Sequence, residues 1–147
     1  MIGTANDVRG LAAEQTRQGR FSHIVFVDLP TLDERREIFA VHLRKRNREP
    51  EEFDLDNLAE TTDGFSGAEI EAAVKAGLLR AFMDGERWLM TEDIVECARK
   101  VQPTSVVKRE QMESLRNWAK DHMAVSAGGS SLTPINERMQ IARALEM

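Results

Sequence analysis

Cysteine is almost absent from this sequence, since Cys97 is the only one among its 147 residues. A single thiol cannot form an internal disulfide, which excludes a disulfide-stabilised scaffold. Cys97 falls on the apolar face of a predicted helix, and this position favours a buried structural thiol.

Long apolar runs are absent as well. No stretch approaches the ~20 consecutive apolar residues that a membrane-spanning helix needs. The first residues, MIGTAND, lack the basic start and the apolar centre of a signal peptide. From the sequence we therefore expect no membrane association and a cytoplasmic location.

A basic surface is lacking too. The formal net charge of -5 argues against nucleic acid or an anionic membrane as the main partner. Positions 44–48, RKRNR, form a basic run, but acidic residues dominate positions 49–56 directly after it. We therefore favour a solvated helix end over a phosphate-binding patch. A helical nucleic-acid binder is the weakest hypothesis, and it would require salt-sensitive binding through this run.

The sequence does contain enough apolar material for a globular core. Its 41% hydrophobic and 31% charged residues exclude a disordered or fibrous chain, and its length fits one domain or a domain plus a piece of another. Residues 24–27, IVFV, are typical of a strand buried on both faces of a parallel sheet. With one other strand end near Ile2, this segment needs partner strands that we do not find in the chain.

From residue 31 the pattern becomes helical. Thr31 with Glu34, and Ser66 with Glu69, match the capping box that begins a helix. Asp54 and Thr91 are predicted to cap two further helices, and a last helix is predicted over about residues 107–123. The helix after Ser66 has one apolar face, formed by Ile70, Ala73, Val74, Gly77, Leu78 and Ala81.

Four segments follow from these patterns. Residues 1–30 carry the strands, and residues 31–123 form a helical domain with its own core. Residues 124–133 are a flexible linker by composition. Residues 134–147 form a short amphipathic helix that docks on the body, pairs with another chain or frays.

The order of these elements and motifs resembles the second part of an AAA ATPase. In chain order the motifs are Thr-Ala-Asn6 after a strand, Arg17-x-Gly-Arg20-Phe, Ile38-x-x-x-His42, and Gly-Phe-Ser-Gly67-Ala68-Glu. The resemblance covers about residues 2–101. The residues in and around these motifs are most similar to those of a poorly characterised AAA subgroup known mainly from cyanobacteria and chloroplasts.

The resemblance implies a fold class, a ligand and partners. The fold is expected to be mostly α, with the last strands of an α/β P-loop NTPase subdomain over residues 1–30, followed by an AAA helical lid bundle. The implied cofactor is ATP, with Mg²⁺ in the intact enzyme. The implied partners are neighbouring AAA subunits in a ring, a homo-hexamer when intact, and an unidentified protein substrate.

Three residues match catalytic positions of the family. Asn6 matches sensor 1, where an amide orients water near the γ-phosphate, and an Asx turn is the alternative interpretation. Arg17 and Arg20 match the arginine fingers, which reach a neighbouring subunit's ATP and offset the charge that develops in phosphoryl transfer. A pair of solvated loop arginines is the alternative.

Four residues match positions that contact the nucleoside. Ile38 and His42 lie one helical turn apart on the same face and match contacts to adenine and ribose, while a core isoleucine with a partly buried histidine is a compatible alternative. Gly67 and Ala68 match a small pair at a helix start that lets the backbone approach the base. A plain capping box explains this pair equally well.

The phosphate-binding half of such an enzyme is missing. No G-x-x-x-x-G-K-[ST] spacing occurs among the glycines. Leu29 follows Asp28 where a general-base glutamate should stand, so we interpret this strand as the last of the sheet and assign no metal ligand.

The sequence therefore predicts a C-terminal AAA ATPase fragment that contributes to ATP binding and hydrolysis in the intact ring and is inactive alone. The alternative is a non-catalytic helical interaction module that binds an intact AAA subunit.

Overall fold

The computed structural model describes residue 4 and residues 24–121 and 124–127. The chain divides into two compact units, Met1–Asp28 with Glu110–Met147, and Leu29–Arg109. We call them the strand unit and the helical unit. The predicted strand end near Ile2, residues 128–133 of the predicted linker and the predicted helix over residues 134–147 lie outside the described residues.

The helical unit contains five helices and one short turn. They are α1 (Leu32–Arg44), a 3₁₀ turn (Pro50–Glu52), α2 (Leu55–Thr61), α3 (Gly67–Met83), α4 (Thr91–Ala98) and α5 (Thr104–Val107). In the strand unit lie β1 (Val25–Phe26) and β2 (Val125–Ser126), and α6 (Arg109–Asp121) begins at the boundary. The predicted mostly helical fold is confirmed.

Both predicted capping boxes are present. The Glu34 amide donates to Thr31 Oγ1 at 3.4 Å, and the Thr31 amide donates to Glu34 Oε2 at 2.8 Å. Ser66 and Glu69 repeat the arrangement at α3. These reciprocal bonds satisfy amides that a helix cannot satisfy internally, and they fix where α1 and α3 begin.

Two other helix boundaries differ from the prediction. Thr91 is the first residue of α4 and not its cap: Asp93 Oδ2 accepts from the Met90 amide at 3.0 Å, while the Thr91 hydroxyl accepts from the Asp54 amide at 3.1 Å. The single last helix predicted over about residues 107–123 is two helices, α5 and α6. Pro103 is the N-cap residue of α5, so α5 begins earlier than the predicted start near residue 107.

The core of the helical unit joins α1, α2, α3 and α4. Its largest fully buried side chains include Phe39, Leu43, Leu58, Phe65, Ile70, Val74 and Ile94. The predicted inner face of α3 is confirmed, because Ile70, Ala73, Val74, Gly77 and Ala81 are all buried. Gly77 permits close approach of α4, since a Cβ there would lie 2.9 Å from Ile94 Cγ1.

A buried arginine ties α1 to the segment that precedes α3. Arg35 is 5% exposed. Its Nε donates to the Ala59 carbonyl at 2.9 Å and its Nη1 to the Pro30 carbonyl at 3.0 Å. Its Nη2 lies 3.1 Å from Asp63 Oδ1. These bonds pair the buried guanidinium with acceptors, as burial of a charge requires.

The strand unit holds a parallel pair of strands. Val25 is in register with Val125, and the Val125 amide donates to the Ile24 carbonyl at 2.8 Å. The expected burial of residues 24–27 on both faces is not observed, because Val25 is 59% and Val27 is 74% exposed. Within the described residues β1 has β2 as its one neighbouring strand, and β2 lies in the stretch predicted as a linker.

Two further features are the burial of Cys97 and the length and polarity of the described helices. Cys97 on α4 is a free thiol and is half-buried, less than the full burial expected. Among the described helices, none is both long and apolar enough to cross a membrane.

Candidate functional site

The structure brings together residues that the sequence placed on two separate helices. Ile38 lies in the middle of α1, and Gly67 is the first residue of α3. A Cβ built on Gly67 would lie 3.9 Å from Ile38 Cδ1. The α1 face that carries Ile38 and His42 therefore meets the beginning of α3.

The beginning of α3 presents small residues and backbone amides. Gly67 is half-buried and Ala68 is exposed, so little side-chain volume covers the first turn. Amides of a first turn have no partner within the helix, and they lie at its partially positive end. The Ser66–Glu69 capping box fixes this turn in place. A flat or electronegative group can approach such a backbone closely.

Among the described residues, one nitrogen of His42 has no hydrogen-bond partner. Its Nδ1 is shielded from solvent and accepts no hydrogen bond from the part of the chain that the structure describes. Burial lowers the pKa of His42 from its ordinary value of 6.5, and Lys45, Arg46 and Lys75 lower it further, against an opposing effect of Glu71. A neutral imidazole can accept one hydrogen bond, so Nδ1 would accept from a ligand donor once the packing that shields it opens.

Glu71 balances the cations around His42. Its Oε1 lies 3.1 Å from Arg46 Nη2 and 2.9 Å from Lys75 Nζ. Hydrogen bonds from Lys75 and then Arg46 lower the pKa of Glu71. Arg46 Nη1 also donates to the His42 carbonyl at 2.9 Å. Since these cations share one carboxylate, they do not form an unopposed phosphate-binding patch.

Asp28, the strand-end carboxylate, is engaged by an arginine of its own unit. Arg116 Nε and Nη2 donate to its two oxygens, each at 2.9 Å. This bidentate pairing raises the pKa of Arg116 and accounts for the carboxylate without a metal ion. Within the described ranges no group of three or more His, Cys, Asp or Glu side chains could hold a metal.

The three residues predicted to be catalytic, Asn6, Arg17 and Arg20, lie outside the described residues, so their positions remain sequence predictions. Conversely, sequence reasoning did not find the bond from the Thr104 amide to Glu69 Oε1, at 2.9 Å. The two residues are far apart in the chain. The turn former Pro103, directly before Thr104, is a local signal that the chain bends at this point.

Comparison with known proteins places these helices in a family. Residues 52–96 match the model of the AAA+ lid domain. An uncharacterized AAA domain-containing protein ycf46 of Pyropia yezoensis is 41% identical over 128 residues, covering 86% of this chain and 26% of that protein. A proteasome-activating nucleotidase of Saccharolobus solfataricus is 34% identical over 116 residues, covering 79% of this chain and 28% of that protein.

A third relative extends the comparison. The ATP-dependent zinc metalloprotease FtsH of Parabacteroides distasonis is 32% identical over 115 residues, which cover 75% of this chain and 17% of that protein. The chain thus spans about a quarter or less of the length of these three curated relatives. The lid model includes the start of α3 with Gly67, Ala68 and Glu69. From the lid match and these relatives together, we conclude that the chain belongs to the AAA+ family of ATPases and carries its lid domain.

Proposed function

We propose that this chain is the C-terminal part of an AAA ATPase, whose intact form binds and hydrolyses ATP, and that its lid contacts the adenine nucleoside through Ile38, His42, Gly67 and Ala68. The observation that carries the proposal is the meeting of Ile38 on α1 with the side-chain-free position at Gly67 on α3, with His42 one helical turn further along α1. Apolar contact combined with a few placed polar groups is typical of small-molecule sites.

Each of these residues has a separate task in the proposed site. Ile38 supplies apolar area against a base. Gly67 and Ala68 leave the first turn of α3 uncovered, so that the base can reach the backbone. Because the pKa of His42 is lowered by burial, its neutral Nδ1 can accept a hydrogen bond from an amino or hydroxyl group of the nucleoside.

The phosphate end of the nucleotide lies outside what this chain supplies. In the proposal Asn6 orients the attacking water, and Arg17 and Arg20 contact the ATP of a neighbouring subunit, which requires a ring, here a homo-hexamer. Mg²⁺ is held by residues of the intact enzyme that this chain does not contain. Affinity of the chain for ATP is therefore expected to be weak, since phosphate contacts supply much of nucleotide binding.

One experiment tests the nucleoside contacts directly. When the chain is titrated with ATP and followed by methyl NMR, the Ile38 δ-methyl signal should shift. The δ-methyl signal of Ile70, which is fully buried, should not move. GTP and inorganic tripolyphosphate serve as controls for the base and for the charge. Absence of any ATP-specific shift at millimolar concentration would refute the proposed site, and tight magnesium-dependent binding would refute the proposed lack of phosphate contacts.

A matched pair of substitutions locates the contact on α3. Ala68 and Ala72 are both exposed and lie one turn apart on this helix. Ala68→Leu should abolish the ATP-dependent shift because the larger side chain fills the space proposed for the base. Ala72→Leu adds the same volume one turn further along and should leave the shift unchanged.

A second experiment tests the arginine fingers. The chain, mixed with an intact relative such as the proteasome-activating nucleotidase of Saccharolobus solfataricus, should alter that protein's nucleotide-hydrolysis rate through Arg17, and Arg17→Ala should remove the effect. Equal effects of the wild-type chain and Arg17→Ala would exclude a finger acting between subunits.

One observation favours the alternative function, a non-catalytic interaction module. Leu79, Phe82 and Met83 are 59%, 62% and 77% exposed, and Phe82 and Met83 follow Leu79 by three and four residues on α3. Such an apolar stripe is typical of a protein-binding helix face. This alternative predicts binding to an intact AAA subunit with no response of Ile38 to ATP.

A further inference from the structure

A carboxylate at the beginning of α3 holds two segments of the chain at once. Glu69 Oε2 accepts from the Ser66 amide and from the Ser66 hydroxyl, both at 2.7 Å. Its other oxygen, Oε1, accepts from the Thr104 amide at 2.9 Å. The first turn of α3 is thus bound through one side chain to the beginning of α5.

A second contact joins the same two segments. The Ser105 amide donates to the Gly64 carbonyl at 3.3 Å. Gly64 has φ +73, and a Cβ on it would lie 2.0 Å from Ser105 Oγ. A glycine is therefore needed at position 64 both for its backbone conformation and for the approach of Ser105.

The chemistry of the first contact requires a carboxylate. A capping box works with Gln as well as Glu, but an amide side chain has one acceptor oxygen and a donor NH₂ group. The amide oxygen can accept from Ser66 or from Thr104, but the amide nitrogen cannot accept. The two bonds therefore cannot form on separate atoms, as they do with a carboxylate. Burial raises the pKa of Glu69, yet the hydrogen bonds from Ser66 and Thr104 outweigh that effect, and the pKa is lowered overall.

We propose that Glu69 is a positioning residue for the nucleoside site: by accepting from Thr104 while it caps α3, it holds the Gly67–Ala68 backbone where the base approaches. This inference rests on the proposed function. It makes the segment 103–105 a control element of the site, because any movement that withdraws Thr104 loosens the turn that the base contacts. Coupling is reciprocal. ATP bound at Gly67 and Ala68 must therefore strengthen the hydrogen bond from the Thr104 amide to Glu69.

Two neutralising substitutions separate this role from ordinary capping. Glu69→Gln keeps an acceptor for Ser66 and loses the simultaneous bond to Thr104. Asp54→Asn is the control: Asp54 Oδ1 accepts from the Asn57 amide at 3.0 Å, within its own helix α2, and Asn caps helices as well as Asp. Both changes remove one negative charge from a helix start.

The test combines hydrogen exchange at the Thr104 amide with ATP titration followed at the Ile38 methyl. In the wild type, ATP should slow Thr104 exchange. Glu69→Gln should accelerate that exchange, weaken ATP binding about fivefold or more and abolish the ATP-dependent slowing, while Asp54→Asn behaves as the wild type. A merely structural bond would not respond to ATP.

Two results would overturn the inference in different ways. If Glu69→Gln accelerates Thr104 exchange and leaves ATP affinity unchanged, Glu69 stabilises the fold without positioning the site. If the wild-type Ile38 methyl does not respond to ATP, the proposed function itself fails and the inference falls with it.

A second set of variants tests the contact at Gly64 independently. Gly64→Ala forces a clash with Ser105, whereas Gly85→Ala imposes a similar strain at φ +79 with nothing within 4 Å of its Cβ. ATP affinity should fall in Gly64→Ala and not in Gly85→Ala, and Ser105→Gly should restore part of the loss by removing the clashing atoms. Equal effects of the two glycine changes would show that backbone strain alone is responsible, against the inference.

Discussion

Two glycines of α3 show how differently a missing side chain can matter. A Cβ on Gly77 would meet Ile94 Cγ1 at 2.9 Å and two backbone atoms of Ile94 within 3.3 Å, whereas a Cβ on Gly67 meets Ile38 Cδ1 at an ordinary 3.9 Å. Gly77 thus lets α4 approach α3, and Gly67 leaves space that the fold itself does not need. Stability and ligand binding should separate at these two positions.

Gly77→Ala should lower the free energy of unfolding by about 1–3 kcal/mol, because overpacking against α4 exceeds the gain in helix propensity. Gly67→Ala should change stability by less than about 1 kcal/mol. Urea denaturation followed by circular dichroism measures both. A Gly77→Ala protein as stable as the wild type would contradict the close packing of α3 on α4.

Arg35 and Arg36 are adjacent arginines with opposite environments. Arg35→Met should destabilise the protein by about 2–3 kcal/mol, since the carbonyls of Ala59 and Pro30 lose their charged donor. Arg36 pairs with Asp33 and Asp56, whose side chains are 84% and 70% exposed. Arg36→Met should therefore cost less than about 1 kcal/mol. Thermal unfolding of the two variants checks the contrast, which equal losses would contradict.

The titration of His42 gives a residue-specific check on the candidate site. Burial lowers the pKa of His42 from 6.5, and the charge of Glu71 opposes this change. The NMR titration midpoint of His42 should therefore lie below 6.5 in the wild type and lower still in Glu71→Gln. Because the folded-state pKa is lowered, the neutral form favours folding above 6.5, and this contribution is lost as the pH falls. A midpoint at or above 6.5 would contradict the dominant effect of burial on this histidine.

At the scale of elements, an ion-pair cluster closes the α3–α4 turn. Asp93 is 3% exposed, and its two oxygens accept from Arg87 Nη1 and Nη2, each at 2.7 Å. Its Oδ2 also caps α4 through the Met90 amide. Arg80 on α3 adds an ion pair to Asp93 at 3.4 Å. One buried carboxylate thereby fixes the turn and the start of the following helix.

This cluster predicts part of the acid sensitivity of the protein. Hydrogen bonds from Arg87 lower the pKa of Asp93 from 3.8 against the effect of burial. The stabilisation from ionised Asp93 is complete above 3.8 and is lost as the pH falls through the lower folded-state pKa. Asp93→Asn should reduce stability at neutral pH and flatten the stability–pH curve below 3.8. A variant curve parallel to the wild-type curve in that range would contradict the assignment.

The elements that sequence reasoning predicted best are those determined locally. The capping boxes at Thr31 and Ser66 and the inner face of α3 depend on residues within a few turns of one another, so their spacing reveals them. The Thr91 hydroxyl instead binds the distant Asp54 amide, and Asp93 caps α4 in its place. Likewise, the pairing of β1 with β2 joins opposite ends of the described chain, and no local pattern carries that information.

The candidate site shows the same limit. Ile38, His42, Gly67 and Ala68 were identified by resemblance, and the packing of α1 against α3 sets Ile38 beside Gly67. The lack of a partner for His42 Nδ1 among the described residues and the bond from Thr104 to Glu69 follow from three-dimensional packing alone. They were therefore out of reach of spacing arguments.

At the scale of the whole molecule, the two units differ in what stabilises them. The helical unit has an apolar core that includes Phe39, Phe65 and Ile94. The strand unit's described sheet has two strands of two residues each, and a two-stranded sheet is marginally stable at best. Backbone amides should consequently exchange at very different rates in the two units.

Hydrogen exchange on a dilute sample checks this difference. The Val74 amide in α3 should be protected close to the global limit, while the Val125 and Ala127 amides, bonded to the Ile24 and Phe26 carbonyls, should exchange orders of magnitude faster. Arg116→Ala should further accelerate exchange of the Val125 and Ala127 amides, because it removes the bidentate pair with Asp28. Equal protection of β2 and α3 would show that the strand unit is more stable than its described sheet explains.

The half-buried thiol on α4 has a practical consequence. Because Cys97 is the only cysteine among 147 residues, a maleimide dye or a nitroxide attaches at one known position per chain without prior mutation. In a closed symmetric assembly these labels occupy equivalent positions, so the ratio of nearest to next-nearest label distances depends on the number of copies. Pulsed electron resonance on the labelled protein would thus count the members of the proposed ring through a residue that plays no part in the proposed chemistry.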